Sequence, residues 1–400
     1  MSALHPSSPL SPEQDAPSIE IINCHVHLFT KSHIPRHYPS RLITPFKRMD
    51  WVLVPLSWIP RFFGFTYTAE QILRLRRFYA ETKQGSQREI LDNLRRHYPS
   101  GTKFVVLPMD LSQIGHGDVP KSLEAQHDEL ADLSADPDVG QYVIPFATID
   151  PRADPEAREL WRAIDELGFK GIKIYPRLGF PPDHPVLMTH VYPRAQERRL
   201  PVMSHCSRGG VQGETRYDPF EPDVPKAMDT FWADRFTEPA AMKPVLESFP
   251  DLNVCLAHFG GGSDWHAYAN PKEPTPYRDE YLRNWQAQIR DMIGSGQYEG
   301  LWTDISYTLF DFDDNIPFLK VFLSPATAEG RALGQRVLFG SDYYMTKQEA
   351  LSERSVCFRL RAALGDDMFR QIAETNPHGW LIGDRGVAEP PSNDAIVTGR

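Results

Sequence analysis

Ile19-Glu20-Ile21-Ile22-Asn23-Cys24-His25-Val26-His27 is a short apolar run that ends on two histidines one residue apart. Side chains alternate across a strand, so His25 and His27 point to the same side. A lone His-x-His is a weak signal in a chain of 400 residues with 14 histidines. Its setting makes it informative, because three later apolar runs end in the same chemistry. Met203-Ser204 leads into His205, Leu256-Ala257 into His258, and Phe339-Gly340-Ser341 into Asp342. Parallel barrels gather their reactive groups at strand C-termini. Borderline metals such as zinc take imidazole and carboxylate ligands, and catalytic sites keep one position for water. Residue type, order and position together point to a metal-dependent enzyme. An acidic side chain such as Asp342 at a barrel mouth is costly unless it is ligated or hydrogen-bonded.

Outward from these ends, apolar strand patterns alternate with helical ones. Strands are expected over 19–23, 103–109, 142–149, 170–175, 200–204, 253–258, 301–306 and 336–339. Helical patterns occupy 122–133, 155–167, 186–199 (bent by Pro193), 239–248, 278–293, a start at 316–322, and 347–375. Alternation of this kind implies right-handed βαβ units and a parallel sheet, and eight units close into an α/β, (β/α)8 TIM barrel. The rival is an open doubly wound sheet, but no G-x-G-x-x-G follows any strand. Gly260-Gly261-Gly262 after His258 lets backbone approach a site closely.

The barrel is expected to span 19–385, between a disordered leader at 1–18 and a tail at 386–400. Residues 28–100 form a large insertion after strand 1, with helical stretches at 69–83 and 87–96. The aromatic segment 51–65, interrupted by Pro55 and Pro60, is read as a buried lid rather than a membrane-touching patch. A second insertion, 208–237, is rich in Pro, Gly and Asp. Both insertions follow strands that carry candidate ligands, so both are expected to wall a substrate pocket.

Composition narrows the function. The chain is 41% hydrophobic with a net charge of −10 and no long basic run, which speaks against nucleic acid. Cys24, Cys206, Cys255 and Cys357 have no CxxC spacing and read as core thiols. A thiolate ligand from Cys206 beside His205 is disfavoured, since strand neighbours face opposite ways. With no signal peptide or membrane-spanning run, a cytoplasmic protein acting on a small molecule is expected, with 51–65 as a possible homodimer contact.

The motifs Asn23-Cys24-His25-Val26-His27, Gly168-Phe169-Lys170-Gly171-Ile172-Lys173-Ile174, Leu200-Pro201-Val202-Met203-Ser204-His205, Val254-Cys255-Leu256-Ala257-His258-Phe259-Gly260-Gly261 and Leu338-Phe339-Gly340-Ser341-Asp342 resemble the amidohydrolase superfamily. The resemblance is to the amidohydrolase-related branch that includes aminocarboxymuconate-semialdehyde decarboxylase. It implies one divalent ion, usually Zn2+ with Mn2+ as an alternative, held by His25, His27, His205 and Asp342. It implies His258 and Asp342 as catalytic groups. Some relatives carry a carboxylated lysine that bridges two metals, which would make Lys173 a ligand. In the single-metal branch Lys173 instead pairs with a carboxylate or meets substrate. Further substrate-pocket candidates are Tyr175, Arg177, Arg208, Trp265, His266, Asp304 and Tyr307. Asn376 is expected to tie a loop. The leading expectation is hydrolysis of an amide, ester or lactone by water that the ion activates. The alternative is non-oxidative decarboxylation on the same scaffold, with Arg36, Arg177 or Arg208 holding a carboxylate.

Overall fold

In a computed structural model the described residues are 18–38, 50–62, 72–73, 76–77, 80, 85–269, 284–306, 308, 312–343 and 352–383. The expected leader at 1–18 except Ser18, the tail at 386–400 and most of the 69–83 helix fall outside them.

Eight parallel strands form the frame. They are β1 (Ile22–Val26), β2 (Lys103–Val106), β3 (Val143–Pro145 continuing as Ala147–Thr148), β4 (Ile172–Ile174), β5 (Val202–Ser204), β6 (Val254–Leu256), β7 (Leu301–Asp304) and β8 (Val337–Leu338). Neighbours pair in sequence order from β1 to β8. Around the Phe146 kink the ladder is kept by Phe146 N–H donating to the Val106 carbonyl at 3.1 Å and Ala147 N–H to Gly171 at 2.9 Å. The ring closes where Cys24 N–H donates to Phe339 O at 2.8 Å and Asp342 N–H to His25 O at 2.9 Å. A parallel bridge between Val26 and Tyr343 extends that seam. The architecture is therefore the (β/α)8 barrel that the alternation anticipated.

Two apolar clusters fill it. The larger lies between strands and outer helices and includes Val26, Ile172, Ile174, Val202 and Val254. The smaller takes Cys24, Val105, Phe146, Met203, Cys255, Trp302 and Leu338 from successive strands and is the barrel interior. Trp380, on the helix Asn376–Ile382, belongs to it and meets Phe146 at 5.5 Å between ring centroids. Asn376 donates to the Gly334 and Val337 carbonyls, so it ties this helix to the entry of β8. Ile172 and Ile174 face the outer cluster, so Lys173 between them faces inward.

The strands are shorter than expected, and β1 is displaced: it runs from 22 to 26 rather than 19–23, which places His25 inside the strand. Its register against β2 slips between Asn23 and Val26. Such a bulge re-aims side chains. Cys24 joins the interior, His25 also turns inward, and Asn23 turns out toward Tyr98. The 186–199 segment is a π-turn (Leu187–Val191) followed by the helix Tyr192–Glu197. Pro193 has no N–H to give, so the ladder widens there.

The expectation of a buried, proline-broken lid over 51–65 is corrected for residues 51–62; residues 63–65 lie outside the described residues. Leu53–Phe62 is one helix, and Trp51 in the turn before it, Trp58 and Phe62 are exposed. Pro55 sits in its first turn, where N–H groups have no helical partner to lose. Among the described residues no helix is long and apolar enough to cross a membrane.

The start of the insertion is pinned to the barrel by Glu129, on the helix Leu123–Ala135. Its carboxylate accepts from His33 Nε2 at 3.0 Å, from Gln87 N–H at 3.2 Å and from the Lys121 ammonium. Burial alone would raise this carboxyl, but the hydrogen bonds from His33 and Lys121 outweigh it and lower it from 4.5 to about 2. A carboxyl depressed by folding adds stability above its unfolded pKa of 4.5, and that contribution disappears as pH falls toward about 2. Glu129→Gln should therefore cost about 1–2 kcal/mol at neutral pH and progressively less below pH 4.5. Denaturant melts of both proteins across pH check this; a difference that stays constant down to the acid end would refute it.

Candidate metal centre

The ligand geometry starts from two hydrogen bonds on the far sides of the β1 imidazoles. His25 Nδ1 lies 2.9 Å from Asp304 Oδ2, and His27 Nδ1 lies 2.7 Å from the Leu107 carbonyl. Both partners accept only, so each Nδ1 carries the proton and each Nε2 presents a lone pair. The two Nε2 atoms converge on one carboxylate oxygen: Asp342 Oδ1 is 3.3 Å from His27 and 3.6 Å from His25. Ligand-type atoms of His25, His27 and Asp342 all lie within 4.8 Å of one another. His25 Nε2 is buried and has no hydrogen-bond partner. A buried lone pair without a donor is costly unless a cation meets it. The three groups therefore fit a divalent metal.

Asp342 reaches this place through backbone strain. It has φ +61° and its N–H donates to the His25 carbonyl across the closing seam. Asp tolerates the left-handed region better than most residues, though at some cost. The seam is fixed from outside the barrel. Asn23 Oδ1 accepts from the His25 and Ser341 N–H groups at 3.2 and 3.1 Å. Asn23 Nδ2 donates to Tyr98 Oη and Ser341 Oγ, and Tyr98 Oη donates to the buried Glu353 at 2.6 Å.

A second triad, His25, His258 and Asp304, shares the first histidine. Asp304, at the end of β7, accepts from His25 Nδ1, from His258 N–H at 3.0 Å, and from both the N–H and hydroxyl of Ser306. His258 is held at φ +69°, its Nδ1 is 2.9 Å from Ser306 Oγ, and its Nε2 is 3.0 Å from His205 Nδ1. His205 stacks on Tyr175 at 4.0 Å. A Cβ at Gly210 would stand 2.5 Å from Tyr175 Oη, so only glycine lets the loop lie that close.

Burial holds all three central imidazoles neutral: His25 and His205 sit well below the usual range and His258 falls to about 3, with neighbouring cationic groups adding to the effect. Lys173 is fully buried and its Nζ has no hydrogen-bond partner. Burial lowers it to about 8, against the pull of Asp304 and Asp342.

The structure thus gathers His25, His27, His258, Asp342, Lys173 and Tyr175. His205 belongs to neither triad and joins the group through His258. Arg177 and Arg208 are engaged elsewhere. Arg177 Nη1 donates to the buried Asp234 at 2.6 Å, and the half-buried Arg208 donates to Asp234 at 3.2 Å and to Asp264 at 2.9 Å. The network ties the second insertion to the barrel mouth. His266 is exposed on the helix Gly262–Ala269, and Trp265 packs in the core against Phe259. Tyr307 lies outside the described residues. Sequence reasoning placed Asp304 only among pocket candidates, quoted Asn23 in the first motif without a role, and passed over Ser306. The signal for Asp304 was present, because it too ends an apolar run.

Comparison with known proteins agrees with this architecture. An uncharacterised TIM-barrel protein from Bordetella bronchiseptica superposes with a TM-score of 0.52 at 16% identity, covering 92% of this chain and 99% of that one. A 5-carboxyvanillate decarboxylase from Novosphingobium aromaticivorans, complexed with manganese and 4-hydroxy-3-methoxy-5-nitrobenzoic acid, gives 0.50 at 17% identity, covering 91% and 96%. No curated protein sequence matches the chain. At these identities the structures speak for the fold alone. The amidohydrolase family profile matches residues 22–381, from β1 through the Trp380 helix, and the chain belongs to the amidohydrolase family.

Proposed function

We propose that this metal-dependent enzyme hydrolyses an amide, ester or lactone bond in a small organic substrate. The observation that carries the reading is the convergence of the His25 and His27 Nε2 atoms on one oxygen of Asp342. His25, His27 and Asp342 would hold the cation, Zn2+ or Mn2+, with His205 as fourth ligand. When bound, such a cation polarises a carbonyl and brings the pKa of water toward neutrality. Asp342 then takes the proton of the attacking water. Asp342 would pass that proton on to the leaving group, while neutral His258, held between Ser306 and His205, would stabilise the developing oxyanion. Lys173 supplies a buried positive charge near the oxyanion that develops. The Asp234 and Asp264 pairs orient Arg177 and Arg208, which then shape the wall rather than grip a charged substrate.

Decarboxylation is a second reading, favoured by the fold likeness to the carboxyvanillate decarboxylase. Product analysis in 18O-water separates the two. Hydrolysis is expected to place one labelled oxygen in the product. Carbon dioxide released without label incorporation would remove the hydrolase reading. Activity should vanish on chelation and return with zinc or manganese under either one.

A further inference from the structure

The helix Leu53–Phe62 presents its apolar side to water. Counting from Trp51 in the preceding turn, Trp51, Pro55, Trp58 and Phe62 recur at spacings of four, three and four residues and so share one face. Trp51 is 65%, Trp58 64% and Phe62 85% exposed. The opposite face carries Leu53 and Ser57, both buried. Surface helices ordinarily turn the apolar stripe inward. A row of exposed aromatics marks a surface that meets something apolar.

Charge selects what that is. Residues 28–84 hold ten Lys and Arg against three Asp and Glu, a net +7, within a chain of net −10. Lys47 and Arg48 precede the aromatic row in the sequence and Arg61 lies within it. A two-fold related copy would set this positive stretch against itself. Tryptophan, with an apolar ring and one N–H donor, suits the boundary between lipid headgroups and acyl chains. Aromatic residues on one helix face with Lys and Arg close by in the sequence have the composition of an interfacial helix. We infer that the helix Leu53–Phe62 seats the protein on an anionic bilayer surface, with Trp51 and Trp58 in the headgroup layer.

The test uses the full-length protein with phosphatidylcholine vesicles, with and without phosphatidylserine. Co-sedimentation is expected only with phosphatidylserine present, together with a blue shift of tryptophan emission and release as salt rises. The double variant Trp51→Ser/Trp58→Ser should bind about tenfold less or weaker. Its melting temperature and metal content should match the parent. The proposal is overturned if the parent stays in the supernatant with anionic vesicles, or if the double variant pellets equally. It is also overturned if sedimentation velocity shows a parent dimer that the double variant turns into a monomer, because a second copy then takes the face.

Discussion

Asp342→Asn should lower turnover by about 10²–10⁴-fold and reduce the metal-to-protein ratio, with the fold unchanged. The backbone at this position is left-handed, and asparagine adopts that conformation as readily as aspartate. Its N–H bond to the His25 carbonyl is kept. Two things are lost: the negative charge 3.3–3.6 Å from the paired Nε2 atoms, and the acceptor for a water proton. Elemental analysis and steady-state kinetics check this. A variant with full metal and full activity would falsify the site. The same measurement sorts the remaining ligands. The ratio should be near one in the parent and collapse in His25→Ala and His205→Ala. An unaffected ratio in His205→Ala would leave His205 as the partner of His258 only. A parent ratio near two would make Lys173 a ligand.

Asp304→Asn is expected to weaken metal binding about 10–100-fold. Asp304 accepts four donors, from His25 Nδ1, His258 N–H and the Ser306 N–H and hydroxyl. An amide has one oxygen, and its NH2 group must face one of those donors. Relief comes most easily by moving the His25 proton to Nε2, which removes the lone pair aimed at Asp342. Competition with a chromophoric chelator measures the affinity. Turnover should recover largely when metal is added in excess, since the loss acts through the positioning of His25. An unchanged affinity would show that the His25 tautomer is set by something other than Asp304.

Much of the site was legible because barrel geometry converts a local pattern into a spatial one. A polar residue closing an apolar strand must lie at the barrel mouth, wherever it falls in the chain. His25, His27, His258 and Asp342 meet for that reason, although His25 and Asp342 lie 317 positions apart. Asp304 obeyed the same rule and was undervalued, because a lone aspartate does not reveal which imidazole it faces. For Arg177 and Arg208 the information missing from the sequence was of another kind. Their sequence neighbours gave no hint that Asp234 and Asp264, on other elements, neutralise them.

The segment 51–65 shows another boundary. Its composition suggested burial, since aromatic residues usually leave water. Helical spacing, however, only sorts residues onto faces and does not say which face meets the barrel. The β1 bulge is a similar case, because a one-residue slip in register has no signature in the residues themselves.

The order of strands and helices, the closed parallel sheet and the residue types around its mouth were determined by the sequence by itself. These properties depend on neighbours a few positions apart, where hydrophobic period and strand length act directly. Only the tertiary structure decided which acceptors face the Nδ1 atoms of His25 and His27, which arginines are already paired, and which side of the Trp51–Phe62 turn-and-helix faces outward. Those outcomes depend on electrostatic and packing partners brought close by chain closure, and sequence distance carries no information about them.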